Sequence, residues 1–185
     1  TQKQGKKFIY LSTDFVFSGN NPPYFEESVP DPIGYYGQTK FEAEEIVKNK
    51  AMVVRLSYPY RAVFDKKKDF VRTIKSLLEQ KKELKMITDS QFVPTFIDDI
   101  AFSLEYLMNN YSPTLYHVVG SECLSPFEAG KMIAKKFGLD HALIKPVTYE
   151  EYFTGKAKRP QFSDIRSKNN TFFKMKSFEE GLQSL

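Results

Sequence analysis

Apolar positions along this chain recur with two different periods, and the changes of period divide it into strands and helices. Residues 8–11 are a short apolar run rich in β-formers, brought to a polar end by Ser12, Thr13 and Asp14; a strand with polar residues at its C-terminal end is predicted. Residues 19–34 hold Gly19, Asn20, Asn21, Pro22, Pro23, Pro30, Pro32 and Gly34, which predicts a loop. Residues 37–50 read as a helix with Ala43, Ile46 and Val47 on one face and Glu42, Glu44 and Glu45 largely off it. Residues 52–56 are apolar apart from Arg55, as in a buried strand. Phe70, Ile74, Leu77 and Leu78 mark a second amphipathic helix over 69–80.

A strand over 84–88, a helix over 98–109 and a strand over 115–119 follow. Asp98 and Asp99 suit the positive end of that helix. Ser125-Pro126-Phe127-Glu128 combines an N-cap, a proline at N1 and a glutamate at N3, so a helix opens there and runs to Phe137, with Gly138 as its C-cap. Ser177-Phe178-Glu179-Glu180 opens a terminal helix in the same way. Strands alternating with helices imply the α/β class with parallel pairing. No internal repeat or low-complexity tract interrupts the pattern.

Composition narrows the picture without changing it. In 185 residues, 41% are apolar and 27% charged, which is ordinary for a globular domain. The net charge is only +4 and the lysines are dispersed; Lys66, Lys67 and Lys68 form the densest run and read as a solvated loop. No basic stripe interleaved with aromatic residues points to nucleic acid. Cys123 is the single cysteine, so no internal disulfide forms and a reducing compartment is expected. With no apolar stretch of membrane-spanning length and no signal peptide, a cytoplasmic protein is expected, with no membrane partner. The chain opens with Thr1, directly before a strand-like segment, and is expected to be part of a longer polypeptide.

Tyr36 and Lys40 stand four residues apart at the head of a predicted helix, and such pairs share a face. A neighbouring ammonium favours the phenolate, making the tyrosine a usable proton donor or acceptor near neutral pH. That suits hydride transfer, in which a carbonyl oxygen takes a proton as its carbon is reduced. Thr13, at a strand's C-terminal end, could polarise the same oxygen, since open α/β sheets bind ligands there. With 11 tyrosines in a lysine-rich chain, about one such pair arises by chance, and on spacing alone an ordinary half-exposed tyrosine and solvated lysine explain it. Tyr152 and Lys156 repeat the spacing in a poorly patterned stretch beside Gly155 and read as a decoy; Tyr35 meets Thr39 instead of a lysine. Asp98 and Asp99 read as helix-start residues, not metal ligands, and His117 and His141 read as structural.

Order along the chain adds specificity. Leu11-Ser12-Thr13-Asp14-Phe15-Val16-Phe17-Ser18-Gly19 followed by Tyr36-Gly37-Gln38-Thr39-Lys40-Phe41-Glu42-Ala43-Glu44 resembles the extended short-chain dehydrogenase/reductases, and within them the dTDP-4-dehydrorhamnose reductase branch. Val54-Arg55-Leu56-Ser57-Tyr58, Val93-Pro94-Thr95-Phe96-Ile97-Asp98-Asp99-Ile100-Ala101, Tyr116-His117-Val118-Val119-Gly120 and Arg159-Pro160-Gln161-Phe162-Ser163 continue the resemblance in order over nearly the whole chain.

The resemblance implies the C-terminal part of a Rossmann-like doubly wound parallel sheet plus a small α/β substrate-binding region. Residues 1–60 would complete the dinucleotide-binding domain and 61–185 would form mainly the substrate region, with segments able to return to the first domain. Thr13, Tyr36 and Lys40 would be catalytic; Ser12, Ser57, Tyr58 and Pro59, with Tyr36 and Lys40, would border an NADP or NAD cofactor; Thr13, Phe15, Phe17, Tyr58 and Arg159 would meet the substrate. The implied activity is reduction of a 4-keto-6-deoxy nucleotide sugar, as in dTDP-rhamnose biosynthesis, in a protein able to form a homodimer through the catalytic helix.

Departures qualify the likeness. The related 4,6-dehydratases carry Asp-Glu after the threonine, whereas this chain has Asp14-Phe15 and so no evident acid for eliminating water. Phe92 stands where relatives often have glycine. None of the nine glycines forms a phosphate-binding loop, so the N-terminal glycine-rich half that would hold most of the cofactor is absent, and this segment alone is not expected to bind NAD(P) appreciably. Three rivals remain: a sugar-nucleotide epimerase using the same pair, a non-catalytic subunit similar to the beta subunit of methionine adenosyltransferase, and a remnant with no activity.

Overall fold

A strand whose side chains must satisfy two different faces lies at the centre of the molecule. In the computed structural model, which describes residues 4–61 and 68–185, β1 (Ile9–Thr13), β2 (Met52–Leu56) and β6 (Leu115–His117) form a parallel sheet in the order β1-β2-β6. Ile9 pairs with Met52, Thr13 with Leu56 and Arg55 with His117. Along β2 the side chains alternate, as a strand requires. Met52 and Val54 pack with Ile100 and Leu107 of α3 (Ile97–Asn109) and with Val118. Arg55 lies on the other face, where α1 (Tyr35–Val47) covers it and Glu44 holds its guanidinium at 2.6 Å.

The remaining elements form a second layer around a larger aromatic core. β3 (Pro59–Tyr60) pairs in parallel with β5 (Thr95–Phe96), and β4 (Leu84–Ile87) with β7 (Ile144–Val147). α2 (Phe70–Glu79), α4 (Pro126–Lys136) and α6 (Phe178–Gln183) enclose Tyr60, Val71, Phe96, Ile133 and Phe178, all buried. The short α5 (Tyr149–Phe153) follows β7 directly. β6 lies far along the chain yet joins β1 and β2, so the first sheet is completed by a late segment.

The helix starts agree with their local chemistry. Asp69 caps α2, and Ser125 and Ser177 form capping boxes with Glu128 and Glu180. The helix carrying Tyr36 and Lys40 differs from expectation: it starts at Tyr35, not Gly37, with Gly34 at its N-cap. Gly37 is therefore inside the first turn, and the reason is contact: a Cβ there would lie 2.1 Å from the Phe15 carbonyl oxygen. The strand expected over 115–119 ends at His117. β3, β5, β7 and α5 were not foreseen. The first two have only two residues each, and Pro146 disguises β7. Of the lysine run, Lys66 and Lys67 lie outside the described residues; Lys68 donates to Ser76 of α2 at 2.8 Å.

Candidate functional site

The C-terminal end of β1 turns sharply into a single 3-10 turn, Asp14–Val16, and that turn sorts the residues around it. Thr13 caps it, its Oγ1 accepting from the Phe15 backbone N–H at 3.3 Å and donating to Asp14 Oδ1 at 3.0 Å. Ser57, just past β2, donates to Asp14 Oδ2 at 3.0 Å. Asp14 thus ties the ends of two neighbouring strands together. Burial raises its carboxyl to about 6, an effect that the Ser57 and Thr13 hydrogen bonds partly offset.

Phe15 is thrown outward by the turn, and Phe17 inward. Phe15 meets the Tyr36 ring edge-on at 5.9 Å and the Tyr58 ring at 6.1 Å. Close approach of α1 at Gly37 produces this contact, and Tyr36, on the first turn of α1, stays 56% exposed. Lys40, one turn later, donates to the Leu11 carbonyl oxygen at 2.6 Å and lies 4.3 Å from the Tyr10 ring centre. Lys40 therefore borders the C-terminal half of β1, and Tyr36 the turn that follows it.

Tyr58 adopts φ +37°, a left-handed conformation that a bulky side chain rarely takes. Its phenol is pushed up to about 12, first by burial and next by the Asp14 charge, while a hydrogen bond with Arg159 works the other way.

Phe15, Tyr36 and Arg159 line one cleft of about 640 Å³. Tyr58 and Arg159 line an adjoining cavity of about 250 Å³. The other expected site residues are placed differently. Phe17 does not face a cleft: it is 1% exposed, stacked on Tyr24 at 4.2 Å and covered by the Arg55 guanidinium at 4.9 Å, so it is a core residue. Thr13 and Ser57 are buried with their hydroxyls engaged by Asp14, and Pro59 is exposed in β3. Ser12 is also buried, and its hydroxyl has no hydrogen-bond partner.

Sequence reasoning passed over two parts of this arrangement. Asp14 was weighed only for the glutamate missing beside it, although Thr-Asp at a strand end already signals a carboxylate near the turn. Tyr152 and Lys156 were set aside, yet both line the same cleft as Tyr36. The run Lys156-Ala157-Lys158-Arg159 and the capping box Thr148-x-x-Glu151 were the signals available. His117, read from the sequence as structural, is buried, with burial lowering it to about 4 and its Nδ1 2.8 Å from the Arg166 carbonyl oxygen.

The fold coincides with that of known proteins. All of the chain, residues 1–185, matches the family described as the RmlD substrate binding domain. The chain belongs to that family. It is accordingly a member of the sugar-nucleotide reductase/epimerase superfamily, with a Rossmann-like α/β fold. It is 33% identical over 163 residues to the spore coat polysaccharide biosynthesis protein SpsK of Bacillus subtilis, covering 86% of this chain and 56% of that protein. It is 31% identical over 153 residues to methionine adenosyltransferase 2 subunit beta of Bos taurus, covering 78% and 46% respectively. The chain thus spans about half the length of these curated relatives. Among solved structures, dTDP-4-dehydrorhamnose reductase of Bacillus anthracis in complex with NADP superimposes with a TM-score of 0.87 at 33% identity, covering 97% of this chain and 65% of that one.

Proposed function

We propose that this RmlD-family chain forms the catalytic-helix and substrate half of a longer NAD(P)H-dependent reductase acting on a 4-keto-6-deoxy nucleotide sugar. The observation that carries this reading is the placement of Tyr36: exposed on the first turn of α1, against Phe15, at the mouth of a cleft of about 640 Å³ beside the C-terminal end of β1. A carbonyl substrate in that cleft can meet the Tyr36 phenol, with the Lys40 ammonium one turn along the same helix.

The residues present fit a nicotinamide cofactor. Ser12, at the C-terminal end of β1, keeps a buried hydroxyl without a partner, and Lys40 holds its ammonium over the same strand. When bound, such a cofactor would supply the hydride. In this reading Tyr36 gives its proton to the substrate oxygen, Phe15 and Tyr58 wall the sugar, and Arg159 answers the negative charge of the nucleotide. Thr13 acts mainly by holding the turn that presents Phe15.

A second reading draws on the 31% identity to methionine adenosyltransferase 2 subunit beta and on the Thr13 hydroxyl being turned to Asp14: a binding subunit without turnover. The deciding experiment follows NADPH oxidation by the full-length protein with a dTDP-4-keto-6-deoxy sugar. Net NADPH consumption is expected, with Tyr36→Phe reducing the rate by about 10²–10⁴-fold at unchanged thermal stability. Interconversion of nucleotide sugars without net NADPH consumption would instead favour an epimerase. No turnover, together with tight binding to a synthetase subunit, would favour the second reading.

A further inference from the structure

The ends of the two central strands meet on one carboxylate. Asp14 follows β1 and is 3% exposed. Its Oδ1 accepts from the Thr13 hydroxyl and its Oδ2 from the Ser57 hydroxyl, each at 3.0 Å. A third hydroxyl, that of buried Ser163 from the late 163–169 segment, also favours the charged form. Two rings hang from these hydroxyls. Thr13 Oγ1 accepts from the Phe15 N–H, and Tyr58 follows Ser57 at φ +37°. The Phe15 and Tyr58 rings then meet at 6.1 Å. Burial opposes the Asp14 charge, and its described partners are hydroxyls and backbone, not cations. The charged groups on the elements packed around it are engaged elsewhere. Lys40 of α1 donates to the Leu11 carbonyl oxygen at 2.6 Å, Arg55 of β2 to Glu44, and Asp164 pairs with Arg166 at 2.7 Å. The Tyr58 phenol is a titratable group that feels the Asp14 charge. A neutral amide would bury at less cost but could accept through one oxygen only, whereas a carboxylate accepts through both. Carboxyls held charged against burial collect at functional sites.

We infer that Asp14 is a positioning residue of the cleft: as a two-sided acceptor it locks the turn carrying Phe15 to the strand end carrying Tyr58, and so sets the wall that a substrate meets. Protonation turns one carboxyl oxygen into a donor. One of the Thr13 and Ser57 hydroxyls then loses its acceptor, and the two rings are no longer held in register. The locked wall therefore belongs to the ionised form, above about pH 6. That the substrate is a nucleotide sugar rests on the functional reading above, whereas the lock itself does not.

The test uses the full-length protein carrying nitrogen-labelled phenylalanine and tyrosine. Without ligand, the Phe15 and Tyr58 amide signals should move together through one inflection near pH 6, and stay still over that range in Asp14→Asn. Ser57→Ala removes a hydrogen bond that lowers the carboxyl, so it should carry the Phe15 inflection to higher pH. Calorimetry with a dTDP-4-keto-6-deoxy sugar, in the absence of cofactor, gives the functional readout. Wild-type affinity should fall by about tenfold between about pH 7.5 and about pH 5, and Asp14→Asn should bind at that weaker level throughout. Asp14→Asn should melt no lower than wild type at about pH 7.5, because it removes a buried charge, so its loss of affinity would not be a loss of fold. Phe15 and Tyr58 signals that titrate separately or not at all, or wild-type affinity in Asp14→Asn across the range, would overturn the lock. Coupled signals with neither sugar binding nor NADPH turnover would sink the reductase reading alone. Turnover with identical pH profiles in wild type and Asp14→Asn would sink the positioning role alone.

Discussion

Asp14 is a buried carboxyl whose chemistry departs well from its type. Its carboxyl is raised from 3.8 to about 6 because burial penalises the charged form more than the Ser57 and Thr13 hydroxyls favour it. The folded protein therefore binds this proton more tightly than the unfolded chain does. The charged form costs the fold about 3 kcal/mol above the folded value, and that cost disappears as pH falls through 6 toward 3.8. Asp14→Asn should remove this rise in stability on acidification, flattening the curve of unfolding free energy between about pH 6 and 4 relative to wild type. Denaturant titrations at several pH values check it; parallel curves for the two proteins would show that Asp14 does not titrate there. At this scale Thr-Asp was visible in the sequence, but the carboxylate's link to Ser57 was not, because the partners are 43 positions apart.

Among the elements, α1 is held to the sheet by charge more than by apolar surface. Only Gly37 and Glu44 are fully buried on it, and Glu44 grips Arg55 of β2 through two hydrogen bonds, at 2.9 and 2.6 Å. Neither side chain is more than 6% exposed. Removing one partner strands a buried charge, so Glu44→Ala should cost about 3–5 kcal/mol in chemical denaturation. Glu45 pairs with Lys48 in water at 48% side-chain exposure, and Glu45→Ala should cost about 0.5 kcal/mol or less. Equal costs would overturn this account of the helix. The periodicity of residues 37–50 revealed the helix but suggested the wrong inner face: Ile46, counted among the apolar stripe, is 71% exposed, while Glu44, counted as outward, is buried. The single arginine in the apolar run of β2 was the clue, since a buried cation requires a partner.

Across the whole molecule, a late segment is fastened over an early loop. Tyr24 exchanges backbone hydrogen bonds with Asp164 and Arg166, each at 2.8 Å. The Glu26 carboxylate accepts from the His117 N–H at 3.0 Å, the Lys168 N–H at 2.9 Å and the Ser167 hydroxyl. One side chain thus joins the 24–28 loop, β6 and the 163–169 segment. Glu26→Ala leaves those donors without their shared acceptor, and amide exchange at Ser167 to Asn169 should speed by about tenfold or more while α4 remains protected. Unchanged protection would mean that the Tyr24 bridge alone fastens the segment.

The sequence by itself determined the α/β class, the parallel order of strands and helices, the capped starts of α4 and α6, and the four-residue spacing of Tyr36 and Lys40 on one helix. Each of these depends on spacings of a few residues, which local periodicity and capping chemistry express directly. Only the tertiary structure decided that Phe15 faces a cleft while Phe17 enters the core, that Asp14 joins Thr13 to Ser57, and that Tyr152 and Lys156 stand across from Tyr36. Those outcomes depend on which strand ends come together and on how closely α1 approaches the 3-10 turn. Contacts between residues dozens of positions apart leave no period in the chain, so folding must bring them together before they can be read.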